Sequence, residues 1–495
     1  MNLLLIYPEF PDTFWSFKHA LKFIHKKSST PPLGLLTIAA LMPSTWNKKL
    51  IDMNVQKLHK DDIDWADMVL ISAMAVQRSS VNKVLSQIKN QGKRIVAGGP
   101  LFTMEPDGFA EVDHLILNEG EITLPLFLSD LARGKPKRVY ATSEFADICK
   151  TPVPMWELID MGKYDSMSLQ YSRGCPFGCD FCNVTSLLGH QMRIKTSQQF
   201  VAELDSLYQA GWRRNIFIVD DNFIGNRKAL KEDLLPALIQ WRKGKKGNLF
   251  ITEASINLSD DDQLIDMMVR AGFTQVFIGI ETPDEDSLAE CHKSQNRNRD
   301  LVSCIKKLQH LGLQVMGGFI VGFDNDDETI FQRQIDFIQR SGIVTAMVGL
   351  LQAPIGTSLY QRMLREGRLK EDNYSGDNVD GETNINTTMD QHKLKLGYRQ
   401  ILDTIYATKN YTERVIQFLR DFKPKRHPVQ LHWQEIAALF RSIWDIGIMS
   451  KERRYYWQLF FWTLLHKPDK FPLAITFTIY GYHFRKVNEL HVTLA

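Results

Sequence analysis

Cysteine is scarce, with six residues in 495, too few and too unevenly spread for a disulfide scaffold. No uninterrupted apolar run reaches the ~18 residues that a membrane-spanning helix needs. The opening stretch, Met1-Asn2-Leu3-Leu4-Leu5-Ile6-Tyr7-Pro8, lacks a basic leader and stops at a proline. It reads as a buried first strand and not as a signal peptide. A net charge of +3 is too small to argue for a nucleic-acid partner, and none is expected. Internal repeats and long low-complexity tracts are absent too. What remains is an ordinary globular balance, 44% hydrophobic and 24% charged. At ~100–200 residues per domain the length suggests about three domains. Three of the cysteines crowd into one short stretch, which fits metal ligation in a reducing cytoplasm.

Residues 1–135 alternate short apolar strands with helical stretches, the pattern of a doubly wound parallel sheet of α/β class. The expected strands are Leu3–Tyr7, Lys49–Asp52, Met68–Ser72, Arg94–Ala97 and His114–Leu117, with helices such as Leu33–Met42 and Val81–Lys89 between them. Ligands of such sheets sit at the strands' carboxyl ends. Here those ends carry Asp52, Ser72, Gly98-Gly99 and Asn118-Glu119-Gly120-Glu121. A connector is expected over 136–166. Strand–helix units resume over 167–370, with strands at Ser166–Tyr171, Ile216–Asp220, Leu249–Ala254, Gln275–Glu281, Gln314–Val321 and Ala346–Leu351. Six units suit a partial barrel better than an eightfold one. Residues 371–495 read as a mainly helical region entered through a polar loop, Glu371–Asp390. Residues 408–490 hold fourteen Lys and Arg against seven Asp and Glu, and four of the ten tryptophans.

The decisive segment is Ser172-Arg173-Gly174-Cys175-Pro176-Phe177-Gly178-Cys179-Asp180-Phe181-Cys182. Its Cys-x3-Cys-x2-Cys spacing supplies three soft thiolates from one loop, ligands for an iron–sulfur cluster or for zinc. A structural zinc site takes four protein ligands, so a knuckle would need His190 as the fourth. Three thiolates on a four-iron cluster leave one iron open. Cys149, Cys291 and Cys304 read as packing or surface residues. Further along, Asp220-Asp221-Asn222 closes the second barrel strand and Glu253 the third. Polar side chains at such ends read as catalytic candidates, or as caps of the next helix. Arg193 and Lys195, just past the cysteine loop, could meet a carboxylate or form a solvated charged face.

The cysteine segment resembles the signature of the radical S-adenosylmethionine superfamily. The resemblance implies a [4Fe-4S] cluster on Cys175, Cys179 and Cys182, whose open iron chelates the amino and carboxylate groups of S-adenosylmethionine. Phe181 would lie against the adenine. Gly279-Ile280-Glu281 is similar to the family's Gly-x-Glu element, with Glu281 toward the amino group or ribose. Gly317-Gly318-Phe319-Ile320-Val321-Gly322-Phe323 is similar to its fifth-strand motif, where Gly318 and Gly322 let backbone approach the adenine. Pro354-Ile355-Gly356-Thr357 matches a common ending of the sixth strand.

Residues 1–135 resemble the cobalamin-binding modules that precede many such domains, through Pro31-Pro32-Leu33-Gly34-Leu35, Leu50-Ile51-Asp52-Met53-Asn54 and Val96-Ala97-Gly98-Gly99-Pro100. Asp52, Ser72, Gly98 and Gly99 are the candidate cobalamin contacts. The module's Asp-x-His-x-x-Gly motif is missing after Tyr7, so the cobalt would lack a histidine from this loop. With its helical end, the chain resembles the subgroup containing hopanoid methylases. That resemblance implies methyl transfer to an unactivated carbon, drawing on two molecules of S-adenosylmethionine. One methylates cob(I)alamin to methylcobalamin, and another gives the 5′-deoxyadenosyl radical. The expected partners are a flavodoxin- or ferredoxin-type electron donor and a small-molecule or lipid substrate. The expected location is cytoplasmic; the aromatic and basic residues of 408–490 read either as a peripheral membrane surface or as a helical core with a solvated basic face. The alternatives are a radical carbon–carbon coupling or rearrangement without methyl transfer, and a non-catalytic cobalamin-binding regulator.

Overall fold

The computed structural model describes residues 1–370, 374–377, 380–425 and 433–492. Six parallel strands form the first sheet: β1 (Asn2–Tyr7), β2 (Asn47–Asp52), β3 (Met68–Ser72), β4 (Arg94–Gly98), β5 (His114–Ile116) and β6 (Val139–Tyr140), in the order β2-β1-β3-β4-β5-β6. Its strands are apolar on both faces because both are covered. Leu4, Ile6, Val69, Ile71 and Ala97 face one core. There they meet Val81, Val84, Leu85 and Ile88, which recur at helical spacing on Arg78–Ile88. Leu3, Leu5, Leu70 and Val96 face a second core, continuous with that of the next domain. The sixth strand comes from inside the segment read as a connector, so the sheet runs past residue 135.

The second sheet is also all parallel: β7 (Met167–Leu169), β10 (Ile216–Ile218), β11 (Phe250–Glu253), β12 (Phe273–Glu281), β13 (Gln314–Val321) and β14 (Ala346–Leu350), in sequential order. It is the open six-stranded barrel that the strand count suggests. A two-stranded antiparallel ribbon, β8 (Ser172–Arg173) with β9 (Arg193–Ile194), stands apart at its mouth. Along β12, Val276, Ile278 and Ile280 are fully buried under the helices, while Phe277 and Gly279 alternate to the other face. Local signals set the helix ends. Asp261 caps Asp262–Ala271 through Leu264 N, and Gly272 at φ 104° ends it.

The carboxy-terminal region is helical where described: Gln391–Tyr406, Thr408–Asp421, Trp433–Ser442 with its continuation Ile443–Ile448, Arg453–His466 and Phe471–Val492. Residues 371–373, 378, 379 and 426–432 of the expected loop and basic segment lie outside the described residues. The segment after β1 threads between the barrel and the last helix. Phe14 stacks on Phe484 at 4.3 Å, and Trp15 sits edge-on to Phe277 at 5.1 Å with Nε1 2.6 Å from Met347 Sδ. No helix among the described residues is long and apolar enough to cross a membrane.

Candidate active site

The cysteine loop hangs from the β8–β9 ribbon over the carboxyl ends of the barrel strands. Its neck is tight: Gly174 has φ 95°, and a Cβ there would stand 2.7 Å from the Gln191 carbonyl oxygen. Asp220 fixes the strand leading into it. Fully buried, its carboxylate accepts from Tyr171 N and Ser172 N at 2.8 Å and from Ser172 Oγ at 2.6 Å. Burial pushes it up to about 7. Asn222 is also engaged, accepting from Ser255 N and Oγ at 3.3 Å. Of the polar run, Asp221 is left facing the thiols, pushed up by burial to about 6. Glu253 meets no hydrogen-bond donor among the described residues. Burial, then the charges of Asp221 and Asp220, push it up to about 8, so it holds its proton at neutral pH.

Cys175, Cys179 and Cys182 are free thiols, each partly accessible. Among the described residues no three His, Cys, Asp or Glu side chains gather as a site for one metal ion. His190 lies exposed beside Gly178. The donor set fits an iron–sulfur cluster: soft thiols from a single loop, with a buried cation close by. Burial and the neighbouring Cys179 raise both Cys175 and Cys182, the latter to about 12.

That cation, Lys293, was not among the sequence candidates. Its Nζ donates to Glu281 Oε1 at 2.7 Å and lies 6.0 Å from the Phe181 ring centre. Burial lowers its pKa, but the Glu281 and Cys179 charges outweigh this and hold it above its ordinary value. Gly279 makes the pair possible, because a Cβ there would lie 2.9 Å from Lys293 Nζ and closer still to Glu281. Glu281 itself takes φ 65° at a bulge against β13, which turns its side chain into the mouth. Glu281, Lys293, Phe181 and the thiols therefore share one place. Gly318 lies lower, and the space above it holds the Phe277 ring, 2.8 Å from where a Cβ would be. Gly322, at φ 106°, donates its amide to Asp326 at 2.8 Å.

Arg193 and Lys195 both meet carboxylates, but protein ones: Arg193 pairs with Glu119 at 2.6 Å and Lys195 with Glu203 at 2.5 Å. Tyr374 is a second residue missing from the sequence candidates. Burial pushes its hydroxyl up to about 12, and the charges of Glu105 and Cys182 add to this. Neither it nor Lys293 stands in a motif: Lys293 follows the helix Glu285–Glu290 in the β12–β13 crossover, and Tyr374 lies beyond the last barrel strand.

The first sheet faces this mouth with a backbone surface. Asp52 is fully buried, accepting from Asn54 N, Asn54 Nδ2 and Tyr164 Oη at 2.7–2.9 Å. A Cβ on Gly99 would stand 2.7 Å from Ser72 Oγ, and one on Gly98 2.7 Å from the Ile116 carbonyl oxygen. These glycines thus serve close approach within the sheet. The segment after β1, where a cobalt-ligating histidine would stand, is fastened by Asn54 and Gln77 onto Pro8 and Phe10. His19 and His25 in its continuation are turned to Asp12 and Arg441. The residues present fit a cobalamin whose cobalt receives no histidine from this loop.

Comparisons agree with this division. The chain matches the radical SAM superfamily over 169–338, the B12 binding domain over 24–128, and a domain of unknown function, DUF4070, over 357–493. It is 39% identical, over 99% of its length and 92% of the relative's, to an uncharacterized methyltransferase of Synechocystis sp.. A hopanoid C-2 methylase of Rhodopseudomonas palustris is 31% identical over 92% of this chain and 88% of its own. The fold also matches OxsB, a cobalamin-dependent S-adenosylmethionine radical enzyme solved with aqua-cobalamin and S-adenosylmethionine bound. The TM-score is 0.63 at 15% identity, over 100% of this chain and 81% of that one. Three domains in one order, three thiols above a six-stranded barrel and full-length relatives place this chain in the family of cobalamin-dependent radical S-adenosylmethionine methyltransferases.

Proposed function

We propose that the methyl acceptor is an unactivated carbon of a polycyclic lipid such as a hopanoid. The observation that carries this reading is the apolar wall at the barrel's open side. Trp15, Phe277 and Met347 line it, and Trp15 remains 39% exposed although it touches both of the others. An exposed indole costs burial unless a ligand covers it. The 31% identical relative named as a hopanoid C-2 methylase supports the reading.

In it, Cys175, Cys179 and Cys182 hold the cluster, and an external donor of flavodoxin or ferredoxin type supplies its electron. The Glu281 carboxylate and the Lys293 ammonium meet the amino and carboxylate groups of S-adenosylmethionine, with Phe181 beside the adenine. Asp220 and Asn222 act as positioning residues. Glu253 and Asp221 are the catalytic candidates, Glu253 carrying a proton at neutral pH. Asp52, Ser72, Gly98 and Gly99 shape the surface under the cobalamin, which when bound supplies the transferable methyl group. Trp15 and its neighbours exclude water from the reacting carbon.

Lipid chemistry also suits the outer face of the carboxy-terminal helices. Trp433, Phe440 and Met449 are 64–66% exposed, and Ile436, Trp444 and Ile448 complete one stripe at helical spacing. Exposed Lys451, Arg453 and Arg454 follow it. Trp and basic groups favour a headgroup boundary, so this stripe would seat the enzyme on a membrane surface.

The experiment is an anaerobic assay with a deuterated methyl donor, followed by mass spectrometry of host lipids and pigments. Label in a polycyclic lipid supports the reading. Label only in a tetrapyrrole, or 5′-deoxyadenosine without S-adenosylhomocysteine, overturns it; the latter product pattern would point to coupling or rearrangement.

A further inference from the structure

The two strands at the neck of the cysteine loop each carry an arginine, and Arg173 lies directly opposite Arg193 in the ribbon. Two guanidinium groups side by side repel, and both are largely buried, with side chains 13% and 16% exposed. Their counter-charges come from the other domain. Glu119 and Glu121 stand at the start of the helix Gly120–Ala132, directly after β5, where a helix N-terminus favours negative charge. Glu119 takes Arg193 in a two-pronged pair, Nη1 at 2.7 Å and Nη2 at 2.6 Å, and Glu121 takes Arg173 Nη2 at 2.6 Å. Glu119 is 4% exposed and also accepts from Ala146 N at 2.5 Å, while Arg193 donates to the Ala146 and Leu188 carbonyls. Burial pushes Glu121 up, and the Arg173 guanidinium outweighs it and holds the carboxyl below its ordinary value.

The loop is therefore tied at two points to two domains. Asp180 faces Arg362 of the barrel at 3.6 Å, and the ribbon faces the first sheet through four charges. We infer that Glu119, Glu121, Arg173 and Arg193 are positioning residues that set the height of the cluster above the cobalamin-domain surface, and so couple radical formation to methyl delivery. This inference is independent of which acceptor is methylated. A two-pronged pair fixes angle as well as distance, which a surface ion pair does not. Buried as it is, the clamp is intolerant of losing one charge.

Glu119→Gln and Glu121→Gln, singly, test it in two ways. In the protein before cofactor loading, hydrogen exchange at Gly174–Cys182 and Gly189–Ile194 should quicken by about tenfold or more, with the amides of β11–β13 unchanged. In the protein loaded with cluster and cobalamin, S-adenosylhomocysteine formed per 5′-deoxyadenosine should fall about tenfold. That fall would correspond to ~1.4 kcal/mol between the two outcomes. Unchanged exchange in the loop, or equal quickening in β11–β13, overturns the positioning role. An unchanged product ratio overturns the coupling. If Glu119→Gln does not fold, Glu121→Gln, which keeps the two-pronged pair, decides by the same readings.

Discussion

The two parallel sheets treat the polar residues at their carboxyl ends in opposite ways. In the first, Asp52 has three donors, Gln77 and Asn54 are fastened to Pro8, and Gly98 and Gly99 admit close neighbours. In the barrel, Glu253 has no donor among the described residues, Asp221 lies near the thiols, and the Lys293–Glu281 pair stands beside them. A surface whose polar groups are spent recognises a large cofactor by shape. A mouth whose polar groups are unspent awaits small, charged ligands. Asp220 is saturated like Asp52, and Asn222 is engaged by Ser255.

The largest effect should separate the thiols from everything else. Cys175→Ala, Cys179→Ala or Cys182→Ala should abolish 5′-deoxyadenosine formation and lower reconstituted iron, because three ligands leave no spare; full cleavage in any variant would break the comparison at its strongest point. Next, Lys293→Met should weaken S-adenosylmethionine binding ~10–100-fold, the range of one charge-assisted hydrogen bond of ~1.5–3 kcal/mol. Calorimetric titration reads this, and an unaltered affinity would remove Lys293 from the site. Asp220→Ala strands three donors and should cost about 3 kcal/mol of stability, measured by denaturant unfolding. Gly99→Ala in the first sheet should cost ~1–3 kcal/mol, since φ is 93° and Ser72 Oγ is in the way. Equal losses in the last two would put Asp220 with the finished surface.

The remaining effect is a pH dependence. Glu253 is raised from 4.5 to about 8 in the folded protein. The native state keeps a proton that the unfolded chain releases. Its contribution is therefore fully present below pH ~4.5 and is lost as pH rises through about 8. Glu253→Gln removes the titration, so the stability of the variant relative to the parent should increase from pH 5 to pH 9. A constant difference across that range would mean that Glu253 ionises normally.

The strands were legible because both faces are buried: Leu3-Leu4-Leu5-Ile6 and Gln314–Val321 are short apolar runs that only a covered parallel sheet explains. β6 was not, since two residues carry no period. The cysteine loop announced itself by spacing. Asp220 and Asp221 were adjacent in one polar run, and only the fold shows that one bonds back to Tyr171 while the other turns to the thiols. Glu119, Glu121 and Arg193 were each visible, but pairs across 52 and 74 residues follow from topology and not from local pattern. Trp15 lay in a stretch distinguished in sequence only by its missing histidine.

Phe14 and Phe484 stack face to face from opposite ends of the chain. At a synthesis rate of ~5–20 residues per second, roughly half a minute or more separates their emergence from the ribosome. Until then Phe14 lacks the ring that covers it. Helix Phe471–Val492 thus acts as a closing bolt on the segment after β1, and Phe14 is covered only after the barrel strands have been made.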